Sequence, residues 1–327
     1  MRHPSTCLAL LVVAAAQFLS SPSTLAAAVA PPRKLFTCSV NNTCVTVDRG
    51  TSGGSALPVC LLTCGAGPVW PLPSKSTIVG TVSAFSRCNI NMQFSSTSAD
   101  VKNLLMASGK HLMDALAANK QTAGTACAQE SGSLTINFQV ESSESALTSS
   151  SDESYTLRTE LNNTESVAFV AAPHFAGAMH ALQTLAQLTA FDPVQGHHLI
   201  AHSSVEDSPA FGHRGILVDT GRQFLPIPQL QKTVRAMAMN KMNVMHMHIS
   251  DTASFPIELS TGAAVNVTSY GAYGPDQYYT VDQIRQLVQY AKEHAVRVIP
   301  EIDAPAHANE GWQWSEEAGL GLYLLAC

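Results

Sequence analysis

The sequence predicts an α/β protein built from two parts, and two observations lead to that prediction. Before residue 207, two apolar helical stripes enclose a group of strand-like runs, which is typical of an α+β domain. After residue 209 the order becomes strand, helix, strand, helix, strand, which favours parallel strands joined by helical crossovers. The 327 residues are 46% hydrophobic, so both parts can bury a core.

The first part is predicted to contain two helices and three strands. A helix follows a cap at Ser98, and its apolar residues share one face: Val101, Leu105, Leu112 and Leu116. The runs "SLTINFQV", "SYTLRTEL" and "SVAFVAA" are predicted strands. The second helix, "HFAGAMHALQTLAQL", has a face made by Phe175, Met179, Leu182 and Ala186. Residues 142–154 are predicted to form an exposed hairpin loop, and residues 30–73 irregular, disulfide-held structure.

The second part alternates strands and helices. "GILVD" is a predicted strand, and Pro228 suits the start of the following helix, whose face is Leu230, Val234 and Met237. "NVMHMHISD" is the second strand. Thr280 and Gln283 form a capping box for the next helix, with predicted inward residues Ile284, Leu287, Val288 and Ala291. "RVIPEID" is the third strand.

Residues 1–30 are predicted to be a secretory signal peptide, because Arg2 precedes a short apolar run and then small residues. The run is too short to span a membrane, which takes about 18 apolar residues. Secretion predicts disulfides, with open pairing, among Cys38, Cys44, Cys60, Cys64, Cys88 and Cys127. A metal or redox role for "CLLTC" is disfavoured. Sequons predict glycosylation at Asn41, Asn162 and Asn266.

Charge excludes one class of partner. The net charge is -6, with 18 Lys+Arg and no basic run, so nucleic-acid binding is not expected. Carboxylates instead collect where the three strands of the second part end, at Asp219, Asp251, Glu301 and Asp303. Because parallel strands end at one edge of a sheet, these acids are predicted to line a site there.

His246 and His248 lie on one face of their predicted strand, because strand side chains alternate with period two. That geometry raises the hypothesis of a metal-dependent hydrolase. A zinc site takes three or four suitable ligands, and no other histidine-rich strand end is present, so no metal is predicted. Both histidines are interpreted as barrel-interior or substrate-rim residues.

Two long segments carry a family resemblance. "HRGILVDTGRQFLPIPQLQKTVRAMAMNKMNVMHMHISDTASFPIEL" and "VIPEIDAPAHANEGW" resemble the start of the catalytic barrel of family 20 glycoside hydrolases, the β-N-acetylhexosaminidases. The preceding segment is similar to their α+β domain. The resemblance implies a sandwich-like α+β domain at 31–207 and, at 208–327, an incomplete (β/α)8 TIM barrel of about three βα units.

The resemblance also implies roles for single residues. Arg222 matches an arginine that hydrogen-bonds sugar hydroxyls, although an ion pair with Asp219 is the alternative. Asp251 matches the acid that accepts a further sugar hydroxyl. Asp303 and His307 match an aspartate–histidine pair beside the catalytic acid, and Glu301 helps to order that network.

The implied reaction removes terminal non-reducing N-acetyl-D-hexosamine residues with retention, assisted by the 2-acetamido group of the substrate. It uses no cofactor. Family members carry the general acid and the acetamide-orienting aspartate in a "GGDE"-type motif, and neither Glu316 nor Glu317 has that context. Truncation before that motif is therefore expected, with little turnover by the chain as written. Trp312 and Trp314 are candidate sugar-stacking residues.

An inactive carbohydrate-binding fragment is the alternative function. The resemblance also implies an extracellular or lysosomal location and allows a homodimer of the full-length form.

Overall fold

The computed structural model describes residues 34–65, 67–95, 98–117, 130–259, 265–319 and 321. The predicted signal peptide at 1–30 lies outside these ranges, as do Cys7, Cys127 and Cys327. Among the described residues, no helix is long and apolar enough to cross a membrane.

The amino-terminal segment is more regular than predicted. Strands β1 (Leu35–Cys38) and β2 (Cys44–Val47) pair in antiparallel fashion, and helix α1 (Leu57–Thr63) follows. Disulfides Cys38–Cys64 and Cys44–Cys60 tie that helix to the hairpin, and Cys88 is also disulfide-bonded. The hairpin and helix escaped prediction because so short a segment shows little apolar periodicity.

A mixed sheet forms the centre of the first part. Its strands are β3 (Lys75–Phe85), β4 (Ile90–Ser95), β5 (Leu134–Val140), β6 (Tyr155–Asn162), β7 (Glu165–Ala172), β8 (Thr189–Asp192) and β9 (His197–Asp207). They follow the order β3-β9-β6-β7-β5-β4, with β8 also paired to β9.

The predicted hairpin at residues 142–154 is absent. Strand β7 lies between β5 and β6, parallel to the first and antiparallel to the second. Residues 142–154 are therefore a connection that passes from one side of β7 to the other. The hairpin is formed instead by β6 and β7, whose tight turn follows Asn162.

Two helices cover the sheet. Helices α2 (Ala99–Ala117) and α3 (Phe175–Gln187) contribute to one core with β5, β6, β7 and β9. Ser98 caps α2 as predicted, since its hydroxyl accepts a hydrogen bond from the amide of Val101 at 3.4 Å. Helix α3 is buried on nearly every side because it also contacts α2 and α4.

The second part is a parallel sheet of three strands in sequence order, which confirms the predicted start of a barrel. The strands are β10 (Gly215–Asp219), β11 (Val244–His248) and β12 (Arg297–Glu301); the helices are α4 (Ile227–Met239), α5 (Val265–Gly271) and α6 (Val281–Lys292). Helices α4 and α6 share a core with Met245, Met247 and Val298 of the sheet.

Helix α6 has the predicted capping box. The Thr280 hydroxyl accepts from the amide of Gln283, whose side-chain oxygen accepts from the amide of Thr280. Leu287 and Ala291 are fully buried, whereas Val288 is 43% exposed. The prediction for Val288 was wrong because the contacting face of α6 is narrower than its apolar stripe.

Candidate active site

The last residues of β10, β11 and β12 lie side by side across the parallel sheet. Asp219 is aligned with His248, and His248 with Glu301. Aligned residues of neighbouring strands project from the same face, so three ionisable side chains meet there. The sheet thereby brings together residues that are far apart in the sequence.

The turn after β11 folds back and buries Asp251. The amides of Thr220 and Gly221 donate to the carbonyl of His248 at 2.9 and 3.1 Å, and the amide of Asp251 donates to the carbonyl of Ser254 at 2.9 Å. Asp251 is only 4% exposed. A Cβ atom on Gly221 would lie 3.1 Å from Cβ of Asp251, so a larger residue would press on the carboxylate turn.

Arg222 spans two carboxylates at the mouth of the site. Its Nη1 lies 2.8 Å from Oδ2 of Asp219, and its Nη2 lies 2.9 Å from Oδ2 of Asp251. The Arg222 amide also donates to Asp219 at 2.9 Å, and the Tyr273 hydroxyl donates to the Arg222 carbonyl at 2.7 Å. The side chain remains 56% exposed, so its planar fork is held in place yet open to a ligand.

His246 and His248 both bind Glu301. His248 Nδ1 lies 2.9 Å from Oε1 of Glu301, while His246 Nε2 pairs with Oε2. On its other side, His248 Nε2 lies 3.3 Å from Oδ2 of Asp251. The hydrogen bond from His248 is the main cause that lowers the pKa of Glu301.

Asp251 is ionised at neutral pH. Burial by itself would raise the pKa of Asp251, but hydrogen bonds from His248 and the Thr252 amide, together with the charge of Arg222, lower it overall. The Thr252 amide donates to Oδ1 at 2.6 Å. Asp251 is therefore a fixed anionic acceptor beside the exposed arginine.

Asp303 and His307 form the predicted pair. His307 Nδ1 lies 2.8 Å from Oδ2 of Asp303, and this hydrogen bond lowers the pKa of Asp303. The Asp303 amide donates to the Ser250 hydroxyl at 2.7 Å. The ring of His307 approaches the ring of His248 edge-on, with 5.8 Å between centroids.

These groups suit a polar, uncharged ligand. Arg222 offers donors, Asp251 offers an ionised acceptor, and both match hydroxyl groups. Because Asp303 binds Nδ1 of His307, the Nε2 atom of that ring points away from the carboxylate and can exchange a proton with a neighbouring group.

Two groups of described residues bring possible metal ligands within 4.8 Å of one another. The first is Cys44, Cys60 and Cys64, whose thiols are used in the disulfides. The second is His248, Asp303 and His307. Here both ring nitrogens of His248 and Nδ1 of His307 already face carboxylate oxygens. These hydrogen bonds explain why the three side chains lie close together.

The predicted site residues all lie at this one edge of the sheet: Arg222, Asp251, Glu301, Asp303 and His307. The ion pair of Arg222 with Asp219, weighed as an alternative, is present together with the pair to Asp251. Sequence reasoning missed Tyr273, for which no local pattern gave a signal. His246 and His248, interpreted as barrel-interior or substrate-rim residues, both bind Glu301.

Trp314 is not a stacking surface for a sugar. It is 5% exposed, packs against Phe255 and Val267, and donates its indole N–H to the carbonyl of Gly311 at 2.8 Å. Trp312 is 38% exposed. Elsewhere the sequon asparagines Asn41, Asn162 and Asn266 are all exposed.

A parallel sheet with hydrogen-bonding side chains at its carboxyl edge is the arrangement in which α/β-barrel enzymes build their active sites. The family model described as "Glycosyl hydrolase family 20, catalytic domain" matches residues 211–323, and the one described as "beta-acetyl hexosaminidase like" matches residues 69–188. The chain belongs to glycosyl hydrolase family 20.

Curated relatives agree with this assignment. The chain is 34% identical over 276 residues to the chitooligosaccharidolytic beta-N-acetylglucosaminidase of Ostrinia furnacalis, covering 81% of this chain and 45% of that protein. It is 41% identical over 180 residues to beta-hexosaminidase subunit beta of Mus musculus, covering 55% of this chain and 32% of that protein. The chain thus spans less than half the length of these relatives.

Solved structures support the fold. The exo beta-N-acetylglucosaminidase of Vibrio harveyi superposes with a TM-score of 0.60 at 22% identity, covering 77% of this chain and 38% of that one. The chitobiase of Flavobacterium johnsoniae gives a TM-score of 0.58 at 24% identity, covering 73% and 35%.

Proposed function

We propose that this chain carries the terminal-sugar-binding part of a β-N-acetylhexosaminidase, which hydrolyses terminal non-reducing N-acetyl-D-hexosamine residues from glycans. The observation that carries the proposal is the buried, ionised Asp251 paired with the half-exposed Arg222 at the carboxyl edge of the barrel strands. The names of the relatives point to the same substrate class: one is a beta-N-acetylglucosaminidase and another a beta-hexosaminidase subunit.

In this proposal Arg222 and Asp251 bind the ring hydroxyls of the terminal sugar. On sugar binding, Nη1 and Nη2 of Arg222 exchange part of their pairing with Asp219 and Asp251 for hydroxyl oxygens, which the planar fork can reach together. Asp251 then accepts a hydrogen bond from a sugar hydroxyl, and its own charge does not change. Glu301 orders the floor of the site through its two histidines.

The Asp303–His307 pair acts beside the glycosidic oxygen. The reaction class is substrate-assisted: the acetamide oxygen of the sugar attacks the anomeric carbon while an acid protonates the leaving oxygen. His307, held through Nδ1 by Asp303, would tune the protonation of that acid. The 327 residues contain no Gly-Gly-Asp-Glu sequence, and Glu316 and Glu317 are exposed, so the proposal gives this chain sugar binding and assigns the general acid to none of its residues.

Calorimetric titration with N-acetylglucosamine-thiazoline, a mimic of the cyclised intermediate, tests the proposal. Wild type should bind, and D251N should weaken binding by about tenfold or more, because a hydrogen bond to a charged group contributes about 1.5–3 kcal/mol. D282N is the matched control, since Asp282 forms only an exposed ion pair with Arg285. Equal affinities for wild type and D251N would refute the proposed role of Asp251.

Turnover distinguishes the remaining alternatives. The chain should bind the thiazoline but leave p-nitrophenyl N-acetylglucosaminide uncleaved, as a carbohydrate-binding fragment would. Cleavage that disappears in E316Q or E317Q would place the acid in this chain and contradict that expectation. Cleavage that a chelator abolishes would favour the metal-dependent hydrolase, in which His246 and His248 bind the metal.

Further assignments belong to the same proposal. The disulfides suit the oxidising secretory pathway, and we propose an extracellular or lysosomal destination after removal of residues 1–30. The α+β domain would occupy 31–207 and the barrel segment 208–327, which agrees with β9 ending at Asp207. The exposed sequons at Asn41, Asn162 and Asn266 would carry glycans, detectable as a mass decrease after glycosidase treatment. Sedimentation would test for a homodimer.

A further inference from the structure

His248 lies between two carboxylates of the site. Its Nδ1 is 2.9 Å from Oε1 of Glu301, and its Nε2 is 3.3 Å from Oδ2 of Asp251. The side chain is 8% exposed. Nη2 of Arg222 forms an ion pair with the same Oδ2 atom of Asp251. His248 therefore joins the predicted sugar acceptor on one loop to the end of the neighbouring strand β12.

Only one charge state of the ring satisfies both contacts. A neutral imidazole carries one N–H donor and one acceptor nitrogen, whereas ionised carboxylates only accept hydrogen bonds. A neutral ring would therefore place one lone pair against a carboxylate oxygen. The imidazolium form donates from both nitrogens and makes two charge-assisted hydrogen bonds.

We propose that His248 is a positioning residue of the sugar site, which as an imidazolium holds the carboxylates of Asp251 and Glu301 in their binding orientation. The inference rests on the proposed function, because it assigns the sugar-binding role to Asp251. It gives this histidine, interpreted from the sequence as a barrel-interior or substrate-rim residue, a specific task. It also gives the two histidines of the strand different tasks, since the ion pair of His246 is with Glu301 and does not include Asp251.

Carboxylates on the neighbouring elements favour the imidazolium. The charged or titratable groups near His248 are Asp219 on β10, His246 on β11, Asp251 and Arg222 in the loops above, Glu301 on β12, and Asp303 and His307 after β12. Four are carboxylates, and Arg222 is the permanent cation among these groups. Burial alone would lower the pKa of His248, but hydrogen bonds to Glu301 and Asp251 and the charge of Asp219 raise it.

The raised pKa of His248 sets the direction in which pH changes sugar binding. A raised pKa means that the folded chain keeps the imidazolium above pH 6.5 and loses it only as the pH rises through the higher value. Loss of that proton removes one of the two hydrogen bonds. The contact to Asp251 is the longer of the two, 3.3 Å against 2.9 Å, so it is the weaker one, and without it Asp251 is held by Arg222 and the Thr252 amide. Affinity for the sugar mimic should therefore fall on the alkaline side.

Two measurements on the 327-residue chain test the proposal. Nitrogen-15 NMR of histidine-labelled protein should show both ring nitrogens of His248 protonated at pH 6, with the signal assigned by its loss in H248Q. Wild type should be titrated with N-acetylglucosamine-thiazoline between pH 5.5 and 8.5, and its affinity should decline on the alkaline side. H248Q should bind about tenfold more weakly than wild type at pH 6 and should show no alkaline decline.

Control variants separate positioning from folding. H246Q should retain the alkaline decline, because His246 does not contact Asp251, and H197Q, in the distant sheet, should bind like wild type. H248N provides a second substitution that retains an amide near the Nδ1 position. If neither variant folds, the pH profile of wild-type binding still decides.

A neutral tautomer at pH 6, or an H248Q chain with wild-type affinity and pH profile, would overturn the positioning role. The proposed function would stand in both cases. Absence of binding by wild type at every pH would instead overturn the proposed function, and with it the purpose assigned to His248.

Discussion

Replacing Glu153 with glutamine should destabilise the chain by about 3 kcal/mol at pH 7. Glu153 lies in the connection between β5 and β6 and is 9% exposed. Its carboxylate accepts hydrogen bonds from Nη2 of Arg214 and from the side-chain amide of Asn243, and it lies 2.7 Å from Nε2 of His180. Arg214 precedes β10 and Asn243 precedes β11, so one carboxylate joins the mixed sheet to the amino ends of two barrel strands.

The magnitude follows from the pKa of Glu153. Burial alone would raise that pKa, but hydrogen bonds and charge from His180 and hydrogen bonds from Arg214 and Asn243 lower it from 4.5 to about 2. Because a tenfold change in proton affinity is worth about 1.4 kcal/mol, the ionised form contributes about 3 kcal/mol. That agrees with the roughly 3–5 kcal/mol lost when one partner of a buried ion pair is removed.

Urea unfolding followed by circular dichroism measures the effect. The stabilisation is complete above pH 4.5 and is lost as the pH falls towards 2, so the difference between wild type and E153Q should shrink over that interval. E160Q, which removes an exposed pair with Arg158, should cost less than about 1 kcal/mol. A loss in E153Q no larger than in E160Q, or a difference independent of pH, would refute the reasoning.

Three further substitutions test the site and its support. R222K should weaken binding of the sugar mimic at least tenfold in calorimetry, because a lysine cannot bridge Asp219 and Asp251 with a planar fork. G221A should cost about 1–3 kcal/mol in urea unfolding and weaken binding, since its Cβ would press on Asp251. T280A should cost about 1 kcal/mol in unfolding with unchanged binding, because it removes only the cap of α6.

Matched variants accompany these measurements. R285K changes an exposed arginine on α6 and should bind like wild type. G212A adds a methyl group where no atom lies within 4 Å, so it should leave binding unchanged. Normal binding by R222K, equal effects of G221A and G212A, or weaker binding in T280A would each contradict the role assigned to that residue.

Local pattern was sufficient for much of the fold. The helices after Ser98 and Thr280, the buried strand β11 and the alternation beyond residue 209 are where the sequence predicts them. Each depends on side-chain spacing or on a cap within a few residues. Local pattern did not predict the strand order of the mixed sheet, because the position of β7 between β5 and β6 depends on contacts between distant segments.

The sequence by itself determined which residue types stand at the strand ends, and the family resemblance selected Arg222, Asp251, Asp303 and His307 from them. Only the tertiary structure decided how these residues are held. Parallel register aligns Asp219, His248 and Glu301, and this alignment places a single histidine ring against two carboxylates. Hydrogen bonds require approach within about 3 Å, a distance that sequence spacing cannot specify between residues on different strands.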